Sequence, residues 1–187
     1  SNSFGGLVAG DYKLKVKDGN ECLVSDNISI TQPSELKISI SDFKNVKCNG
    51  NPTGEVVLSA SGGTPGYQFS NDAVSYNSSN ILNNLNAGTN TFKVKDRNGC
   101  IASLIHTITQ PDELRLVVST STNVSCYGES NGRVILQASG GTQTYMYSIN
   151  GSTWQDDNQY KNLSVGTYSF LLKDANNCMV STSTTIS

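Results

Sequence analysis

NLNAGTNTFKVKDRNGC (84–100) and NLSVGTYSFLLKDANNC (162–178) are one stretch written twice, and GLVAGDYKLKVKDGNEC (6–22) writes it a third time. The closing cysteines, Cys22, Cys100 and Cys178, recur at a constant spacing of 78 residues, so the register holds without insertion or deletion. Each copy reads as a corner, a strand and a hairpin turn. Gly10, Gly88 or Gly166 gives the backbone its freedom at the corner. Phe92 and Val94 alternate with Lys93 and Lys95, and Tyr168, Phe170 and Leu172 with Ser169 and Leu171, the period of a half-buried strand. Asp18, Asp96 or Asp174 then opens a cluster of Asn and Gly, residues that bond their own backbone and tolerate sharp turns. A second strand follows each time.

Outward from this stretch, the period divides the chain of 187 residues into two complete units and part of a third. ITQPSEL (30–36) recurs as ITQPDEL (108–114), and Pro33 and Pro111 lack the amide needed to continue a central ladder. The expected units are therefore 1–32, holding only the last two strands of a repeat, then 33–110 and 111–187. The opening SNSFGG aligns with residue 79 onward, so the chain is expected to begin inside a unit and to belong to something longer. Units this small bury modest cores and gain from cross-links or neighbour contacts.

Within each unit the expected order is a first strand (36–41) continued through NVKCNG (45–50) or NVSCYG (123–128), then a second strand with Val56, Leu58 and Ala60, or Val134, Leu136 and Ala138, on one face. A Gly-Gly turn leads to a third strand with Tyr67 and Phe69, or Tyr145 and Tyr147, in phase. Asn150-Gly151 is a two-residue hairpin signal that would place Trp154 on a returning strand, and a short strand at 81–85 or 159–163 precedes the opening motif. Helix signals are scarce. Seven short strands per unit, with Tyr12 and Tyr168 just after their corners and Asn90 in the middle copy, read as all-β, tandem immunoglobulin-like sandwiches arranged head to tail.

NVSCYGESNGRVILQASGG (123–141), YMYSINGSTWQ (145–155), NLSVGTYSFLLKDANNC (162–178) and the ITQP junctions together resemble the SprB repeat of Bacteroidota cell-surface adhesins. The resemblance spans all three units, the first in part. It implies a long surface protein exported by type IX secretion, with partners in motility or secretion machinery, and in SprB itself a filament that serves gliding motility. The repeat also occurs in other large exported proteins, so the resemblance points to an array before it points to movement.

Five cysteines in fixed register allow two ordered pairings and a third reading as free buried thiols. Bonds within units would join Cys48 to Cys100 and Cys126 to Cys178, leaving Cys22 with a partner outside the chain. Strand direction opposes this: Cys48 lies at the distal end of its unit and Cys100 at the proximal end, and seven strand residues span about 23 Å, whereas bonded Cα atoms lie within about 7 Å. A bond between units, Cys48 to Cys178, is preferred, because the distal end of one unit faces the proximal end of the next. Either pairing restricts the unfolded chain, and only the second fastens neighbours. Abundant Ser, Thr and Asn with fixed cysteines fits an extracellular, oxidising setting.

Other candidates read as structural. The turns at Asp18, Asp96 and Asp174 lack the further carboxylates a Ca²⁺ site needs. His106 is the sole histidine, its counterparts are Ile28 and Thr184, and it reads as a packing or junction residue; no nucleophile motif accompanies it, so no enzyme is expected. Asp156 and Asp157 read as solvated loop residues. Ser61-Gly62-Gly63 and Ser139-Gly140-Gly141 open no helix and offer no phosphate cradle. Trp154, aligned with Tyr76, is the candidate ligand contact if exposed, for stacking on a sugar. Sequons at Asn27, Asn77, Asn123, Asn150 and Asn162 are what an Asn-rich chain contains by chance. A net charge of −2 with scattered Lys and Arg gives no footprint for nucleic acid, no run is long enough to span a membrane, and no cofactor is implied. The function expected is a stalk or filament segment of a repetitive cell-surface adhesin that bears on its neighbouring repeats and carries force to a distal adhesive region. The alternatives are a glycan- or surface-binding module, and an accessory array of a secreted enzyme.

Overall fold

The computed structural model describes residues 3–187; Ser1 and Asn2, which open the SNSFGG alignment, lie outside the described residues. All fourteen strands found there pair antiparallel. The chain starts with a hairpin, β1 (Gly10–Lys17) and β2 (Leu23–Ile30). The first sandwich follows: β3 (Lys37–Lys44), β4 (Gly54–Ser61) and β6 (Ile81–Leu85) form one sheet in the order β3-β4-β6, and β5 (Gln68–Ser70), β7 (Gly88–Lys95) and β8 (Ile101–Ile108) the other in the order β5-β7-β8. The second sandwich repeats this with β9 (Arg115–Thr122), β10 (Gly132–Ser139) and β12 (Gln159–Leu163) against β11 (Met146–Ser148), β13 (Gly166–Lys173) and β14 (Met179–Ile186). This is the immunoglobulin-like arrangement in tandem.

Alternation builds each core. Val56 and Leu58 from β4 meet Phe92 and Val94 from β7, all with no exposed surface, and Leu82, Leu85, Phe69 and Ile108 close around them. Val134, Leu136, Phe170 and Leu172 repeat the set in the second sandwich, with Leu163, Tyr147 and Ile186. Full burial of one such side chain stabilises by about 1.5–3 kcal/mol, so these few positions dominate each unit. The lysines between them, Lys93 and Lys95, lie on the outer face.

Local structure departs from the expected strands in three places. The first strand runs to Lys44 and carries an irregularity between Ile40 and Asp42, while 45–50 is loop rather than continuation. Six strands form per sandwich instead of seven, because the returning segment after β5 or β11 contributes a single bridge, Phe69 to Asn77 or Tyr147 to Gln155. Trp154 therefore lies in an irregular segment next to that bridge. The cause is at the turn: Asn150 Oδ1 accepts the amides of Ser152 and Thr153 at 3.0 and 3.4 Å, folding the backbone back on its own side chain instead of into a hairpin. In the first sandwich Asp72 makes the same turn to Val74 and Ser75, both at 2.8 Å.

The corner before β7 and β13 is closed by one side chain. Tyr168 Oη donates to Ser164 O at 3.0 Å and Tyr12 Oη to Val8 O at 2.8 Å. Asn90, which stands in that place in the first sandwich, sends its Nδ2 to Asn86 O at 3.3 Å and Gly88 O at 3.0 Å. A shorter donor thus reaches the equivalent carbonyl.

Candidate functional site at the joint between the sandwiches

Each sandwich has a proximal end, where the Gly-Gly turn and the Asp turn meet. Asp96 is buried, and its Oδ2 accepts the Thr64 amide at 2.8 Å while Oδ1 accepts the Cys100 amide at 2.8 Å. Those amide donors, Thr64 foremost, hold its carboxyl below the usual aspartate range against the opposing effect of burial. Asp174 likewise accepts the backbone amides of Thr142 at 2.9 Å, Asn176 at 2.9 Å and Cys178 at 2.8 Å. The carboxylates are thereby committed to backbone donors, which ties the turn after β7 or β13 to the turn before β5 or β11.

The Gly-Gly turn must be glycine. Gly62 has φ +73° and a Cβ there would stand 1.9 Å from Glu35 O; Gly140, at φ +70°, would meet Glu113 O at the same distance. The following amides, of Gly63 and Gly141, donate to Ser34 O at 2.8 Å and Asp112 O at 2.9 Å. Each turn is thus seated on the junction segment that enters its sandwich.

The distal end of the first sandwich is the loop 45–53. Val46 N donates to Thr109 O at 3.0 Å, Asn45 Oδ1 accepts Thr109 N at 3.0 Å, and Thr53 Oγ1 accepts Lys47 N at 2.9 Å. From this loop Asn49 Nδ2 reaches Pro111 O, and Gly50 N reaches Gln110 Oε1, both at 2.9 Å. The junction is therefore clamped by side chains as well as restricted by its proline.

Across the joint, Asn176 Nδ2 donates to Lys47 O at 2.9 Å and to Thr142 Oγ1 at 2.9 Å, which links the second sandwich's Asp turn to the first sandwich's loop. Beside it Cys48 and Cys178 are disulfide-bonded, with Cα atoms 5.7 Å apart and 130 residues between them in sequence. The within-unit pairs do not form: Cys100 and Cys126, like Cys22, are exposed free thiols. The physical reason is the strand-length separation of the two ends of a sandwich, whereas the ends of adjacent sandwiches touch.

The remaining candidates lie apart from the joint. Trp154 is half-buried, and Lys173 Nζ stands 4.6 Å from its ring centroid; Tyr76 and Lys95 form the same pair at 4.4 Å. The cation covers a ring face that a sugar would need. Asp156 and Asp157 are exposed in their loop. His106 packs edge-on against Phe43 with ring centroids 4.7 Å apart, and its buried Nε2 lacks a hydrogen-bond partner. What sequence reasoning missed are Asn49, Gln110 and Asn176, the polar clamps of the joint. A signal for the last was present, since Asn20, Asn98 and Asn176 recur two residues after each turn aspartate.

The SprB repeat model matches two stretches of the chain, residues 40–73 and 118–153, with Cys48 and Cys126 inside them. No curated protein sequence matches. Similar solved structures include three N-terminal domains of the outer capsid protein Hoc of bacteriophage RB49, at 12% identity and TM-score 0.43, over 81% of this chain and 59% of that one. The C-terminal fragment of intimin, solved with the intimin-binding domain of its translocated receptor, aligns at 12% identity and TM-score 0.36, over 93% and 56%. Extracellular domains 3–5 of Drosophila OTK align at 14% and 0.35, over 98% and 72%. The chain spans less than two thirds of the first two.

Proposed function

We propose that this chain is a segment of an extracellular stalk in a repetitive cell-surface adhesin. Its units are 33–110 and 111–187, preceded by the last two strands of another in 1–32. Its work is to hold consecutive sandwiches end to end under tension. We further propose that the parent protein is exported by a type IX system in a Bacteroidota bacterium and serves adhesion of the gliding-motility type, in contact with an external surface or polysaccharide. The observation that carries the reading is the Cys48–Cys178 bond across the joint. Pulled from its ends, a chain so bonded passes load from β3 through the sulfur atoms to β14, and the segment between the two cysteines is shielded. A repetitive β structure with a modest core resists extension better by this route than through its sheets alone.

Small-angle X-ray scattering with and without reductant tests the joint's role. The oxidised chain is expected to give a narrow distribution of distances between sandwiches, and reduction or Cys48→Ser to broaden it at unchanged β content. Equal distributions would show that the joint does not order the units, and the stalk reading would lose its support.

A further inference from the structure

Asn49 and Gly50 follow Cys48, and both are tied to the junction between the sandwiches. Asn49 Nδ2 donates to Pro111 O and Gly50 N to Gln110 Oε1, each at 2.9 Å. We propose that Asn49 is a site of self-modification, in which the amide of the next residue deamidates the asparagine, and that Gln110 guards it while the joint is closed. This follows from the joint's own hydrogen bonds and does not depend on the stalk reading.

The chemistry needs only water. The Gly50 amide nitrogen gives up its proton and attacks Asn49 Cγ. A new N–C bond closes a five-membered succinimide, the Cγ–Nδ2 bond breaks, and the nitrogen leaves as ammonia. Water then opens the ring at either carbonyl and gives aspartate or isoaspartate. One asparagine and one water become one acid and one ammonia, and nothing is oxidised or reduced. Glycine at the second position leaves the nitrogen unshielded, since nothing stands within 4 Å of where a Gly50 Cβ would be. Asn49 is exposed and lines an open cleft with Cys48, Asn51, Glu113 and Cys178, so water reaches it. The obstacle in the closed joint is the pair of hydrogen bonds. An amide whose proton is held by Gln110 Oε1 is a poor nucleophile, and a carboxamide held by Pro111 O is not free to turn toward it.

The other Asn-Gly pairs in the chain, at 98–99, 131–132 and 150–151, are guarded differently. Gly99 N donates to Asp96 O at 3.0 Å and Gly151 N to Ser148 Oγ at 2.8 Å, each within its own turn. Gly132 is buried in β10, where a Cβ would meet Leu163 O at 2.7 Å. Gly50 alone among the four takes its acceptor from the junction, 60 residues further along. Its protection therefore depends on where the junction lies. The corresponding loop of the second sandwich reads Cys126-Tyr127-Gly128, so the site belongs to this joint and not to the 78-residue period.

Modification would weaken the joint that exposed it. A carboxylate at position 49 has no donor for Pro111 O, and two acceptors would face each other across the 2.9 Å now spanned by a hydrogen bond. Isoaspartate also adds a methylene to the backbone directly after Cys48. Because ammonia is lost to solvent, the change runs one way.

The full oxidised chain is held in mildly alkaline buffer, and the peptides carrying each Asn-Gly pair are followed by mass spectrometry. Asn49 is expected to react as slowly as Asn98 and Asn150. Gln110→Ala is expected to speed Asn49 about two- to tenfold, the worth of one hydrogen bond, with Asn98 and Asn150 unchanged; their constancy separates lost protection from unfolding. Gln110→Glu, which keeps an acceptor oxygen, is expected to restore the slow rate, and Cys48→Ser to raise it. An Asn49 rate in the native chain equal to that in the denaturant-unfolded chain, or one unmoved by Gln110→Ala, would overturn the proposal. Asn49→Asp is expected to lower the equilibrium constant for re-forming Cys48–Cys178 in a glutathione buffer about two- to tenfold. An unchanged constant would overturn the claim that modification weakens the joint.

Discussion

The interior of a sandwich and the joint between sandwiches are held by different physics. Phe92 and Phe170 sit in cores closed by aliphatic neighbours from both sheets, with no exposed surface. Asn49, Gly50 and Asn176 work at the joint through three hydrogen bonds to the neighbouring backbone and the junction glutamine, beside a single covalent bond. Burial scales with area and cannot be switched off without unfolding the unit. Polar contacts and a disulfide set orientation and connection. The units should therefore fold on their own cores, while what lies between them couples them and restricts the unfolded chain.

Damage to a core should break that division most visibly if it is wrong. Phe170→Ala removes a fully buried aromatic and is expected to cost about 3–5 kcal/mol, confined to the second sandwich. Denaturant unfolding would then show two transitions, the first sandwich unchanged; one merged transition shifted as a whole would mean a shared core. Next in size is Asp174→Ala. It leaves the amides of Thr142, Asn176 and Cys178 without their acceptor and is expected to cost about 1–3 kcal/mol, while also loosening the turn that presents Cys178.

The equivalent Asp96 gives a pH signature. Its folded-state carboxyl is held below its ordinary range by the Thr64 and Cys100 amides. A depressed carboxylate contributes stability fully above its unfolded value and loses it as pH falls through the folded one. Acid unfolding of the first sandwich should accordingly steepen below the ordinary aspartate range, and Asp96→Asn should flatten that dependence.

The smallest effect sharpens the comparison at the corners of the sandwiches. Tyr168→Phe deletes one hydrogen bond to Ser164 O and is expected to cost about 1 kcal/mol. Asn90→Ala, removing the bonds to Asn86 O and Gly88 O, should cost the first sandwich a similar amount, since both side chains answer the same corner carbonyl. A loss at one corner with none at the other would show that the Asn is a replacement in position only.

The cores were legible in the sequence because alternation is a local property: Phe92 with Val94 and Phe170 with Leu172 declare their face within four residues. The period of 78 carried this reading from one copy to the next. Strand ends and turns were less legible. Asn150-Gly151 carries a hairpin signal, yet the Asn side chain captures Ser152 and Thr153 and leaves only the bridge at Gln155. NVKCNG looked like more strand because Val46 is apolar; it is buried where the loop crosses the end of the sandwich. The joint could be reasoned out only as far as strand direction reached, to the two cysteines. Its clamps, Asn49 on Pro111 and Asn176 on Lys47, depend on how two units meet, 62 and 129 residues apart in sequence; the recurrence of Asn20, Asn98 and Asn176 marks the position of one of them but not its partner.

Single-molecule pulling of the chain from its two ends, oxidised and then reduced, tests most directly that load crosses the joint through sulfur. The bond spans 130 residues; at about 3.3–3.6 Å per extended residue, the oxidised chain should stop about 430–470 Å short of the reduced one. Both states extending to the same full length would contradict the account.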